Sequence, residues 1–225
     1  MKALLITASL LLAFQAKAAL KFDADVPAAI QTQMSEDLVF MSTLTGNGAT
    51  PFHKEIFGQV DGATYKNFFE TRITSVGLDD CGGGMAVACV QPFFNPNKMW
   101  LTENFIKFSH PQIARLMIVY HESRHSETKN GNWMHDTCPR PFLDPNGKDM
   151  VSIWTGAKLE AQPACDSTYK GSYGSSTVML ANVAKFCANC SDKVKMDANM
   201  YATDQLGRID RPDVKKAMIA DFATN

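Results

Sequence analysis

This chain is missing several features, and each absence removes a class of function. Its 22 Lys and Arg stand against 23 Asp and Glu, a formal net charge of −1. There is no basic excess of the kind that holds nucleic acid or an anionic bilayer. Past the N-terminal segment, no apolar run is long enough to span a membrane. No repeat, low-complexity tract or Pro/Gly/Ser-rich linker divides the 225 residues, so the chain reads as one domain with a substantial core. Gly82-Gly83-Gly84 lacks the Lys-Ser/Thr and the following helix of a phosphate-binding loop. Cys187-Ala-Asn-Cys190 lacks the second CxxC of a zinc ribbon and the βαβ surroundings of a redox motif.

Residues 1–18 have the form of a secretory signal peptide. Lys2 is followed by the apolar stretch Ala3 to Phe14 and by Ala16-Lys17-Ala18 as a small-residue cleavage site. No cysteine follows that site, which excludes lipid attachment there. The expectation is a mature domain over residues 19–225, secreted or periplasmic, with no membrane anchor. All six cysteines lie in that part. An even count in an exported chain implies three disulfides. Proximity along the chain pairs Cys81 with Cys89, Cys138 with Cys165 and Cys187 with Cys190.

Periodicity places the elements. Ile30, Met34, Leu38 and Met41 mark an amphipathic helix between Val26 and Met41, and residues 45–51 a loop with His53 as a lone histidine after it. Tyr65, Phe68, Phe69 and Ile73 suggest a short helix feeding aromatics into the core. Met85–Gln91 and Lys98–Thr102 flank Pro92-Phe93-Phe94-Asn95-Pro96-Asn97 and predict a hairpin. Residues 129–174 show no long periodic segment, which in a compact domain points to function. Helices return near Ser175-Ser176, over 192–206, and from Pro212. The sum is a helix-rich α+β domain.

The informative stretch is His121-Glu122-Ser123-Arg124-His125, at the end of the apolar run Ile113 to Tyr120. Ser109 and Pro111 offer a helix start, and Asn130-Gly131 a stop. Residues i and i+4 share a helix face, so both imidazoles can address one ion, with Glu122 beside them. The apolar surroundings argue against a pair of solvated surface histidines.

In this HExxH pattern the chain resembles the zincin metallopeptidases, and the resemblance implies Zn2+ held by His121 and His125. Zincins take a third protein ligand and leave one position for water, whose pKa falls to ~7 on zinc. Glu122 then corresponds to the general base that passes the water's proton to the leaving amine. The implied fold is a helix-rich zincin-like domain with a small β-hairpin beside the active-site helix. An edge strand there would pair with extended substrate.

The likeness to the metzincins is partial: their HExxHxxGxxH has Thr128 at its glycine and Gly131 at its third histidine here. The Asn130-Gly131 turn and His135, ten residues after His125, look like a metzincin-style turn with a longer loop. His-Glu-x-Arg-His followed by His-x-x-Cys also resembles a group of exported bacterial metalloproteins of undefined activity.

These considerations name His135 as the third ligand, with Cys138 anchoring its loop. Glu160 is the chief rival, because a further zincin branch uses a downstream glutamate, and Asp136 and Asp166 are weaker ones. Tyr173, between two glycines ahead of a helix, is a candidate oxyanion donor, with an ordinary loop tyrosine as the plain alternative.

The reading is a secreted zinc-dependent metallopeptidase acting on a peptide or protein substrate. The alternative is a non-catalytic zinc-stabilised secreted binding protein that retains the fold. No propeptide is evident between Ala19 and the first helix, so a peptidase would be narrow in specificity, covered, or controlled by an inhibitor or partner.

Overall fold

The computed structural model describes residues 20–127 and 133–224. The signal-peptide assignment and the Asn130-Gly131 turn lie outside the described residues. Those residues form a mixed α+β domain of eight helices, a four-stranded sheet and a two-stranded one. No helix among them is long and apolar enough to cross a membrane.

The sheet has the order β1-β2-β4-β3. Strands β1 (Lys21–Phe22), β2 (Ser75–Leu78) and β4 (Asn95–Leu101) run parallel, and β3 (Ala88–Gln91) returns antiparallel to β4 as the expected hairpin. Strands β1 and β2 were not legible in the sequence. They are two and four residues long, too short for a period-2 pattern to stand out.

Helix α1 (Ala28–Ser42) buries Ile30, Met34 and Met41 as expected, together with Asp37, which pairs with Arg115. Helix α2 (Pro51–Ile56) begins on the last residue of the stretch read as loop and includes His53. Thr50 caps it by accepting from the His53 N–H, and Pro51 sits where its missing N–H is free of cost. His53 is therefore not a lone loop histidine. It is fully buried, with Nδ1 3.0 Å from the Gly58 carbonyl oxygen and Nε2 2.7 Å from the Tyr65 hydroxyl. Helix α3 (Gly62–Glu70) contributes Tyr65, Phe68 and Phe69, whose rings surround Tyr120 at centroid distances of 5.8, 5.9 and 6.5 Å.

After α4 (Glu103–Lys107) comes the central helix α5 (Gln112–His125). Pro111, not Ser109, is its N-cap, and no side chain caps it. It ends at His125, ahead of the expected stop. Every residue from Ile113 to Arg124 except Arg115 is buried. A helix apolar on most sides is covered on most sides. Here the cover is α1, α3, the β3–β4 hairpin, and helices α6 (Ser172–Phe186) and α7 (Asp192–Gly207).

The 129–174 stretch is not structureless where it is described. Strands β5 (Asp136–Thr137) and β6 (Pro163–Cys165) pair antiparallel, and Cys138, Phe142, Leu159 and Cys165 make a small core of their own. The chain closes with α8 (Pro212–Ala223). All three disulfides join the expected partners: Cys81–Cys89, Cys138–Cys165 and Cys187–Cys190. Three bridges suit an oxidising, extracellular-type environment.

Candidate metal centre

Helix α5 brings His121 and His125 to one face, one helical turn apart. The returning chain at β5 supplies His135. Its Nε2 stands 3.1 Å from His121 Nε2 and 3.2 Å from His125 Nε2. The donor atoms of the three residues all lie within 4.8 Å of one another.

That arrangement fits a metal ion. Two nitrogens bound at 2.0–2.1 Å in a tetrahedral site are about 3.3–3.4 Å apart, close to the spacing seen. Each ring also has a separate neighbour. His135 Nδ1 is 2.9 Å from Asp166 Oδ1, His125 Nδ1 is 3.3 Å from Ser172 Oγ, and His121 hydrogen-bonds the Ser172 backbone. An imidazole whose Nδ1–H is engaged presents a lone pair at Nε2. Three such lone pairs converging on one point repel unless a cation lies between them. Burial, then the neighbouring His135 and His125, hold His121 well below the usual histidine range, so protons do not fill that role there.

Asp166 shows why the local sequence takes this shape. Its Oδ2 accepts the Tyr173 N–H at 2.7 Å and the Gly174 N–H at 3.1 Å, so it seats His135 on the N-terminus of α6. Gly171 permits the approach, since a Cβ there would lie 2.3 Å from Asp166 Oδ2. The glycines around Tyr173 therefore serve close packing, not flexibility. Helix α6 begins at Ser172, earlier than the sequence pattern indicates, and Tyr173 lies in its first turn.

Tyr173 stacks on His135 with ring centroids 4.5 Å apart and lies 4.4 Å from the His121 ring. Its hydroxyl accepts a hydrogen bond from Arg208 Nη1 at 2.9 Å. This leaves the phenolic proton for another acceptor. Desolvation among these groups raises the phenol above its ordinary range, against the opposing charge of Arg208.

Glu122 is 5 % exposed, and its Oε2 has no hydrogen-bond partner. Burial pushes its carboxyl up to about 8, opposed by a hydrogen bond from the Val90 backbone. A divalent charge beside it would act in the same opposing sense. Val90 belongs to β3, the edge of the sheet. The Thr102 N–H bonds the Val87 carbonyl at 3.1 Å, so Val87 and Cys89 face β4. By the alternation of an antiparallel ladder, the main chain of Ala88 and Val90 faces outward, beside α5. His121, Glu122, His125, His135 and Tyr173 line a single cleft of about 540 Å³, with β3 along one wall.

No protein-family model matches the chain, and no curated protein or solved structure matches it either. The site therefore stands on its own geometry.

Glu160 lies elsewhere: its carboxylate accepts the Phe142 N–H at 3.4 Å within the β5–β6 loop, and it is outside the histidine group. Asp136 forms part of β5 and is likewise outside that group. Asp166, weighed as a ligand from the sequence, instead holds His135, a member of the histidine group. Ser172, Gly171 and Arg208 carried no signal in the sequence. Each takes its place through the packing of α6 and α7 against α5.

Proposed function

We propose that the protein is a zinc-dependent metallopeptidase that hydrolyses peptide bonds. The observation that carries this reading is the meeting, in one cleft, of three convergent imidazole nitrogens, a buried carboxylate with an unpartnered oxygen, and the outward-facing edge of β3. Three nitrogen ligands with a cleft beside them suit zinc in an open site, which supplies Lewis acidity and makes water acidic enough to react at neutral pH.

The chain's own groups complete the chemistry. Glu122 accepts the proton of the attacking water, for which its free Oε2 is the atom, and returns it to the leaving amine. Tyr173 donates its phenolic proton toward the carbonyl oxygen as negative charge develops there. Asp166 and Ser172 hold His135 and His125 in orientation. An extended substrate pairs with the outward main-chain groups of β3 that remain beside the Val90 N–H, which Glu122 engages.

The second reading is a zinc-stabilised binding protein. The link from His135 through Asp166 to the start of α6 favours it, because a metal bound there would tighten the packing of three segments. A purely structural site has no need of a buried Glu122 whose Oε2 is unpartnered.

The test is metal analysis of the purified protein together with cleavage of a peptide library before and after removal of the metal by EDTA. Stoichiometric zinc with metal-dependent cleavage supports the peptidase. Tight zinc binding with no cleavage across the library transfers the protein to the second reading.

A further inference from the structure

The cleft carries one cation that the hydrolytic scheme leaves without a task of its own. Arg208, the residue after α7, is 4 % exposed yet lines the cleft beside Tyr173 and Gln205. Its contacts are few for a buried guanidinium, which has five N–H donors. Nη1 donates to the Tyr173 hydroxyl at 2.9 Å. Nε stands 3.9 Å from Asp204 Oδ2, outside hydrogen-bond distance, and has no partner. The Asp204 carboxylate instead accepts from Gln205 Nε2 at 2.8 Å.

The guanidinium is also held in place. Its central carbon lies 4.6 Å from the Tyr173 ring centroid, and that ring stacks on His135. The charge is thus presented at the metal end of the cleft. Among the described residues, no other Lys or Arg lines this cleft, and Glu122 is its one carboxylate. A buried donor left unmade is costly, so a pocket that keeps one needs a ligand to satisfy it. With Nη1 engaged by Tyr173 and Nε turned toward Asp204, the guanidinium still carries N–H groups and a charge that match a carboxylate.

We propose that Arg208 is a substrate-binding residue that receives a carboxylate at the metal end of the cleft. The preferred ligands are peptides with a carboxylate next to the bond placed at the metal centre, from either a C-terminus or an Asp or Glu side chain. The choice of a peptide rests on the metallopeptidase reading, but the binding itself requires no turnover. Asp204, 3.9 Å from Nε, is the resident competitor for the guanidinium.

The experiment measures dissociation constants by calorimetry on the zinc-loaded full chain carrying Glu122→Gln, so that bound peptide is not consumed. One probe pair is N-acetyl-Ala-Phe-Ala with a free carboxylate and its C-terminal amide. The other is N-acetyl-Ala-Phe-Glu-Phe-Ala amide and its Gln counterpart. In at least one pair the carboxylate member should bind about tenfold tighter or more. The pair that discriminates identifies the source of the carboxylate.

Arg208→Met should abolish the preference, Arg208→Lys should keep part of it, and Asp204→Asn should strengthen it. The preference should also persist in unsubstituted protein stripped with EDTA, a readout that stands even if the Arg208 variants do not fold. Equal binding within both pairs overturns the proposal. So does a preference that survives Arg208→Met unchanged or vanishes with the metal, since it would then belong to the metal. Failure of the peptidase reading looks different: unsubstituted protein binds the probes and cleaves no peptide.

Discussion

Asp166 and His135 form one unit: Oδ1 of the carboxylate lies 2.9 Å from Nδ1 of the imidazole, while Oδ2 of the same carboxylate binds the first N–H groups of α6. The third histidine is thereby oriented by a helix that supplies no ligand. Asp166 is 2 % exposed, so water does not substitute for it.

Asp166→Asn tests that unit. The amide keeps the shape but loses the charge that fixes the imidazole and complements the helix N-terminus. Metal affinity should fall by about 10- to 100-fold, read by competition with a chromophoric chelator. Unchanged affinity would show that Asp166 serves α6 alone.

The choice of third ligand is open to direct comparison. His135→Ala should weaken zinc binding by at least ~100-fold, because it removes a ligand outright. Glu160→Ala should leave it nearly unchanged, as that carboxylate accepts the Phe142 N–H and lies outside the histidine group. Zinc titrations of the two variants decide the matter, and a reversed order would assign the ligand to Glu160.

Glu122→Gln should retain both fold and metal while slowing peptide cleavage by ~10²-fold or more, the usual loss with a general base. The amide is close in shape and leaves the three imidazoles untouched. Full activity in a variant verified by mass spectrometry would remove Glu122 from the mechanism.

His53 makes stability depend on pH. Burial lowers it from 6.5 to about 4, despite its hydrogen bond to Gly58. The unfolded chain therefore takes up the proton first as pH falls. The contribution of neutral His53 is complete above 6.5 and is lost progressively as pH drops from there to about 4. A shift of that size corresponds to about 3 kcal/mol. Urea unfolding of EDTA-treated protein at pH 7 and pH 4.5 should show a loss that is smaller in His53→Gln. Equal losses in the two proteins would exclude His53 as the source.

The motif on α5, the three cysteine pairs, the hairpin and the α+β class were legible because their determinants are local. Helical periodicity puts His121 and His125 on one face wherever that helix packs, and short loops bring Cys81 to Cys89 and Cys187 to Cys190 with little choice. His135 was readable as a candidate, since a histidine ten residues beyond the helix is within reach of the metal face. The sequence favoured it over Glu160 and Asp166 without excluding them. All three are polar residues in a segment without periodic pattern, and the distinction rests on which of them α6 and the Cys138–Cys165 bridge bring under α5.

The same reason accounts for the errors. His53 looked like a loop residue because a six-residue helix has no period to detect, and its burial depends on Tyr65, which comes from another helix. Tyr173 stands between two glycines, and close packing and flexibility call for the same residue. The cap that Asp166 places on α6 removes that ambiguity. Arg208 comes from the far end of α7, and its position beside the metal face follows from how α6 and α7 pack on α5. Local spacing along the chain determined which groups were available for chemistry. Which of them meet was decided by contacts between distant segments, where burial and hydrogen-bond satisfaction leave few arrangements open.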